Sequence, residues 1–188
     1  MTMKRILTIA GSDSGGGAGI QTDIKTISAL GGYASSVLTA VTAQNTRGVT
    51  DVEFLSPDIV EKQLRAVLDD IGTDAVKIGM LGTREVVERV AKLLEAYRPP
   101  IIVLDPVLVA TSGDVLTAGS ATEAIVHRLM PLATVVTPNI PEAQRLTGLS
   151  IASPDDYEAV WERFRAIEAQ AVLLKGGHLT GDRLTDTL

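Results

Sequence analysis

Short aliphatic runs alternate along the chain with longer stretches in which apolar residues return every three or four positions. Residues 6–10, 35–43, 75–78, 101–104, 134–136 and 172–174 form the short runs, which read as buried parallel strands. Between them, Ser56-Pro57-Asp58 carries a hydroxyl suited to an N-cap and a proline suited to the first helical position. Val60, Leu64, Val67, Leu68 and Ile71 then fall on one helical face. Ser153-Pro154-Asp155 repeats the start signal ahead of Tyr157, Val160, Trp161, Phe164 and Ile167, and Thr83 opens a third helix with Val86, Val87, Val90, Leu93, Leu94 and Tyr97. These stripes read as core. Strands alternating with helices imply right-handed crossovers and a sheet covered on both faces. The length of 188 residues corresponds to one domain, residues 1–188.

In open α/β sheets ligands gather at the carboxyl ends of the strands. Six such ends carry polar or glycine-containing motifs: residues 11–19, Gln44-Asn45-Thr46-Arg47-Gly48, Gly79-Met80-Leu81-Gly82, Asp105-Pro106-Val107, Thr137-Pro138-Asn139 with Glu142, and Lys175-Gly176-Gly177-His178. The first is the densest. Its glycines fit neither common phosphate loop, because Gly17 leads to Ala18 and Gly19 with no Gly-Lys-Ser/Thr ending, and no G-x-G-x-x-G spacing exists. A tight turn with close helix packing accounts for one or two glycines. Gly15, Gly16, Gly17 and Gly19, following Gly11, exceed that need and favour a binding loop.

Composition narrows the function. A 45% hydrophobic content with 21% charged residues describes a soluble globular protein, and the net charge of −6 argues against a nucleic-acid surface. No cysteine is present, which excludes disulfides and thiolate metal sites and makes the cytoplasm the expected compartment. The apolar run near the N-terminus is too short and glycine-broken for a signal peptide or a membrane span, so no membrane partner is expected. His127 falls in a helical pattern on the surface, whereas His178 follows the Lys-Gly-Gly motif and has either a surface or a nucleotide-contact reading.

AGSDSGGGAGIQTDIKT, TAVTAQNTRGV, KIGMLG, LDPVLVATSG, VTPNIPEAQRL and LLKGGH occur in an order that resembles the hydroxymethylpyrimidine and phosphomethylpyrimidine kinases of thiamin biosynthesis. That family is a branch of the ribokinase-like superfamily, which also holds pyridoxal kinases. The resemblance implies a ribokinase-like three-layer αβα sandwich with a mostly parallel central sheet. It also implies ATP and Mg²⁺ as cofactors, a small pyrimidine substrate and a homodimer. The implied reaction is phosphoryl transfer to 4-amino-5-hydroxymethyl-2-methylpyrimidine and then to its monophosphate.

Residue by residue, the resemblance implies that Gly11, Ala18, Asp23, Gln44, Met80 and Val107 form the substrate site, with Gly11 and Ala18 as contact surface and Met80 and Val107 as apolar walls. The amide of Gln44 offers an acceptor and a donor to match an aminopyrimidine edge, although a glutamine that merely caps a loop is the competing reading. Asp105 and Glu142 are assigned to Mg²⁺ or its waters, Asn139 to their support, and Lys175 to a nucleotide phosphate. Asn139 and Lys175 are the catalytic and nucleotide-binding candidates. Asp105-Pro106 also reads as a plain turn after a strand, and Asp23 as a helix-surface carboxylate.

Members of that family continue into a G-T-G-C motif that supplies an anion hole, and this motif is absent here. The expectation is therefore a fold whose C-terminal part is absent, and a chain that binds pyrimidine but transfers phosphate poorly. Two other readings stand beside the kinase: a non-catalytic pyrimidine-binding module, which would need no magnesium site, and a pyridoxine kinase on the same fold. Residues 46–52 read as a mobile flap, and residues 182–188 as the entry to a further strand.

Overall fold

The computed structural model describes residues 3–108, 119–177 and 184–188. Six strands form one sheet: β1 (Arg5–Asp13), β2 (Tyr33–Asn45), β3 (Gly48–Phe54), β4 (Ala75–Ile78), β5 (Ile102–Leu104) and β6 (Val135–Val136). Their order is β3-β2-β1-β4-β5-β6, and every neighbouring pair is parallel except β2 and β3. The helices are α1 (Gly19–Ala29), α2 (Pro57–Ala66), α3 (Arg84–Tyr97), α4 (Gly119–Ala124), α5 (Ile140–Thr147) and α6 (Tyr157–Ala166). They complete a three-layer α/β arrangement of the ribokinase-like kind.

The start signals read from the sequence act as caps. Ser56 and Thr83 accept hydrogen bonds from the N–H groups of Ile59 and Val86, fixing the first turns of α2 and α3. Ser153 accepts from Asp155, but it starts a 3₁₀ turn, and α6 begins only at Tyr157. Val172 and Leu174, read as a sixth parallel strand, contribute isolated bridges: Val136 pairs with Val172 in parallel, and Leu174 pairs antiparallel with Thr187. Among the described residues, the strand expected over 182–188 is represented by the Leu174–Thr187 pairing. Residues 46–52 lie in a hairpin whose second strand, β3, leaves no clear apolar period in the sequence.

Alternation along the central strands sorts side chains onto two faces. Leu7, Ile9, Val76, Ile78, Ile102 and Leu104 join Val60, Leu64, Val87 and Val90 in the main core, so α2 and α3 cover that face. Out of phase with them, the Thr8 hydroxyl donates to Asp23 of α1 at 2.6 Å, so α1 covers the opposite face. Lys77 stands in register with Thr8 and shares that face. The alternation therefore brings a lysine from an otherwise aliphatic strand toward α1.

Candidate active site

Asp13, at the end of β1, organises the glycine-rich loop from within. Its carboxylate is 5% exposed and accepts from the N–H groups of Gly15, Gly17 and Ala18 at 2.8, 2.9 and 2.8 Å. Gln21 clamps the same corner, accepting from the Asp13 N–H and donating to the Ser12 hydroxyl. The N–H groups that a bound anion would use are therefore taken by an aspartate of the loop itself. Gly19 has a φ of +57°, and a Cβ there would stand 2.3 Å from the Gly11 carbonyl oxygen, so helix-to-strand packing demands glycine. At Gly11 a Cβ would stand 2.5 Å from the Met80 Cε, so the bare backbone makes room for the Met80 side chain. Much of the glycine excess attributed to ligand binding is thus a packing requirement. Ala18 is exposed at the N-cap of α1.

Gln44 is fixed to this loop by its backbone, because the Ser14 hydroxyl donates to the Gln44 carbonyl at 2.7 Å and accepts from the Gln44 N–H at 2.8 Å. Its side-chain amide lies 3.0 Å from the Thr42 hydroxyl, which is also 2.9 Å from the Ser12 carbonyl. One hydroxyl proton serves one acceptor. Both contacts are satisfied when Thr42 donates to Ser12 and the amide turns its NH₂ toward Thr42, an orientation that the hydrogen-bond network decides. The amide oxygen and one N–H then remain available to a ligand.

On the α1 face, acidic and basic side chains alternate across the strand ends. Lys77 Nζ is 3.1 Å from the Asp23 carboxylate and 3.9 Å from Asp105. Asp105, following β5, in turn accepts from Lys175 Nζ at 2.9 Å and from the Thr137 hydroxyl at 3.1 Å. Two carboxylates and two ammonium groups thus link the substrate-side candidate Asp23 to the phosphate-side candidates Asp105 and Lys175. Lys77 escaped the sequence reading because a single lysine in Ala-Val-Lys-Ile looks like the polar position of a half-buried strand. Asp13 escaped it because glycines drew attention to the loop's backbone.

Asn139 and Glu142 form a reciprocal capping box at the start of α5. The Asn139 side chain accepts from the Glu142 N–H at 2.9 Å, and the Glu142 carboxylate accepts from the Asn139 N–H at 2.8 Å. The N-x-x-E spacing thus has a local structural cause. Glu142 is 6% exposed. Burial pushes its carboxyl above the ordinary glutamate range, with the Asn139 N–H and Lys175 opposing that shift and Asp105 adding to it. Asn139 also pairs in parallel with Lys175, whose N–H donates to the Pro138 carbonyl. The N-cap of α5 and the lysine are therefore held side by side.

Val107 is half-buried, and its N–H donates to the Asp105 carbonyl in the turn after β5. His127 is exposed, as expected, and His178 lies outside the described residues. A cleft of about 740 Å³ bordered by Val126, His127, Arg145, Arg163 and Ile167 contains none of the candidate residues. Among the described residues no group of three His, Cys, Asp or Glu side chains is placed to hold a metal, and no helix is long and apolar enough to cross a membrane.

The fold is that of small-molecule kinases. The family model described as phosphomethylpyrimidine kinase matches residues 13–188, and the chain belongs to that family. It is 52% identical over 181 residues to the hydroxymethylpyrimidine/phosphomethylpyrimidine kinase of Rhizobium meliloti, covering 96% of the chain and 68% of that relative. It is 50% identical to the thiamine biosynthesis bifunctional protein ThiED of Geobacter sulfurreducens, covering 97% of the chain but only 37% of that protein. Among solved structures, phosphomethylpyrimidine kinase from Clostridium difficile superposes with a TM-score of 0.88 at 45% identity, covering 97% of this chain and 83% of that one. Pyridoxal kinase from Staphylococcus aureus in complex with AMP-PCP and pyridoxal gives a TM-score of 0.87 at 39% identity, covering 99% and 67%.

Proposed function

We propose that the protein transfers the terminal phosphoryl group of ATP to the hydroxymethyl oxygen of 4-amino-5-hydroxymethyl-2-methylpyrimidine, and then a second one to the resulting monophosphate. In each step the P–O bond to ADP breaks and a P–O bond forms to the acceptor oxygen; in the first step that oxygen also gives up its hydroxyl proton, which is released to solvent. The observation that carries this reading is the continuity of the strand-end network, which runs from Asp23 through Lys77 and Asp105 to Lys175. Family membership supports it.

Gln44 reads the aminopyrimidine edge through its free amide oxygen and N–H, with Gly11, Ala18, Met80 and Val107 shaping the surface around the ring. Asp23 faces the reacting arm. Lys175 gives its positive charge to a nucleotide phosphate, a point-charge role suited to an ammonium group. Asp105 and Glu142 are hard oxygen donors of the kind Mg²⁺ takes through one or two carboxylates and several waters. Glu142 uses one oxygen in the capping box, and Asn139 holds Glu142 in place. When bound, the metal would neutralise charge on the nucleotide phosphates.

The test is pyrimidine-dependent release of ADP from Mg·ATP by the protein, with pyridoxine as the comparison substrate. Turnover with the pyrimidine is expected, and turnover with pyridoxine alone would replace this reading with the pyridoxal kinase one, which the similarity to the S. aureus enzyme favours as the second choice. A purely binding role would show pyrimidine affinity without ADP release. The exposed Val41 and Phe54 beside the open edge of β3 suit a homodimer, which sedimentation would detect. The absence of cysteine suits the reducing cytoplasm.

A further inference from the structure

We propose that Lys77 is the cation that meets the phosphate of the monophosphorylated pyrimidine, so that one residue distinguishes the second substrate from the first. This rests on the kinase reading of the site. The two substrates share a ring and differ at the reacting arm, which is uncharged in the first and carries nearly two negative charges in the second. The arm must lie between the ring-side residues and the phosphate-side residues. Lys77 stands at that junction, 3.1 Å from Asp23 and 3.9 Å from Asp105.

Without ligand the two ammonium groups of Lys77 and Lys175 balance the two carboxylates of Asp23 and Asp105. A neutral hydroxymethyl group enters without disturbing that balance. A phosphate does not, because it adds charge next to Asp23 and next to the incoming nucleotide. Lys175 is committed to the nucleotide side through Asp105, to which it bonds at 2.9 Å. Lys25 donates to the Gly16 carbonyl on the glycine loop. Lys77 is the remaining lysine in the network, and its longer contact with Asp105 is the one a phosphate oxygen can replace. Gly79 keeps its surroundings open, since a Cβ there would stand 3.2 Å from the ammonium nitrogen.

The experiment is calorimetric titration of the protein with hydroxymethylpyrimidine and, separately, with its monophosphate. Lys77→Gln is expected to weaken the monophosphate about tenfold or more while changing the uncharged substrate by less than about threefold, the range expected for one charge-assisted contact. Lys77→Arg should keep most of the preference. Asp23→Asn, which removes the competing carboxylate, should raise the ratio of monophosphate to alcohol affinity. Lys25→Met should leave that ratio unchanged. Equal weakening of both ligands by Lys77→Gln would show a merely structural lysine and overturn the proposal, as would a ratio that follows Lys25 instead. Should Lys77→Gln fail to fold, the Lys77→Arg and Asp23→Asn ratios still decide. A wild-type protein that binds the alcohol but not the monophosphate overturns this proposal and leaves pyrimidine recognition standing. One that binds neither overturns both.

Discussion

Asp13 and Asp105 stand at the ends of parallel strands in one sheet, yet their partners differ in kind. Asp13 accepts from three backbone N–H groups of its own loop. Asp105 accepts from the Lys175 ammonium and a hydroxyl, with a second ammonium 3.9 Å away. Backbone donors cannot leave without unfolding the loop, whereas ammonium groups on flexible stems exchange partners readily. The first carboxylate therefore builds the site, and the second is available to take part in its chemistry.

Asp13→Ala should break this contrast most severely, lowering stability by about 3 kcal/mol as three loop donors lose a charged acceptor, with chemical denaturation as the measurement. Asp105→Asn should leave stability within about 1 kcal/mol, because its pairs are partly solvated, yet cost about a hundredfold in turnover as the charge on the phosphate side is lost. Comparable stability losses in the two variants would erase the distinction. Gln44→Leu is expected to weaken the aminopyrimidine about tenfold relative to pyridoxine, the loss of one well-made hydrogen-bonded pair, and unchanged relative affinities in competition binding would remove its role as base reader.

Glu142→Gln gives the smallest effect and sharpens the comparison. The folded pKa of Glu142 is raised, so the folded state favours the proton, and the stability this contributes is present at acid pH and lost as pH rises through the folded value. Glutamine retains the capping box without the buried charge. The variant should equal wild type at acid pH and become the more stable of the two as pH rises through the folded value, read from urea midpoints. A variant less stable at pH 7 would show that the carboxylate contributes more than its burial costs.

The caps at Ser56 and Thr83 and the aliphatic stripes were legible in the sequence because each rests on a local rule. Strand ends 11–19, 44–48, 79–82 and 105–107 were legible for the same reason, since alternating strands and helices fix which ends face together. β3 was missed because Val49 and Val52 lie three residues apart in Gly48–Phe54, so the two-residue alternation of a half-buried strand is lacking, and at this sheet edge none of its residues is fully buried. Lys77 and Asp13 depend on partners across the sheet or inside a loop, and single-position patterns do not encode such pairings. The N-x-x-E motif carries a local cause that the sequence reading did not state, since its residues form a capping box.

The hairpin that joins β2 to β3 also has a temporal consequence. Asn45 pairs directly with Gly48, so these strands can zip within microseconds from residues adjacent in sequence, whereas β1, β4 and β5 must wait for crossovers that span whole helices. During synthesis Gln44 would reach its hairpin setting before the Asp105 end of the sheet has emerged. Pulse-labelled hydrogen exchange during refolding should show the amides of β2 and β3 protected ahead of those of β5, and simultaneous protection would argue for a single cooperative event.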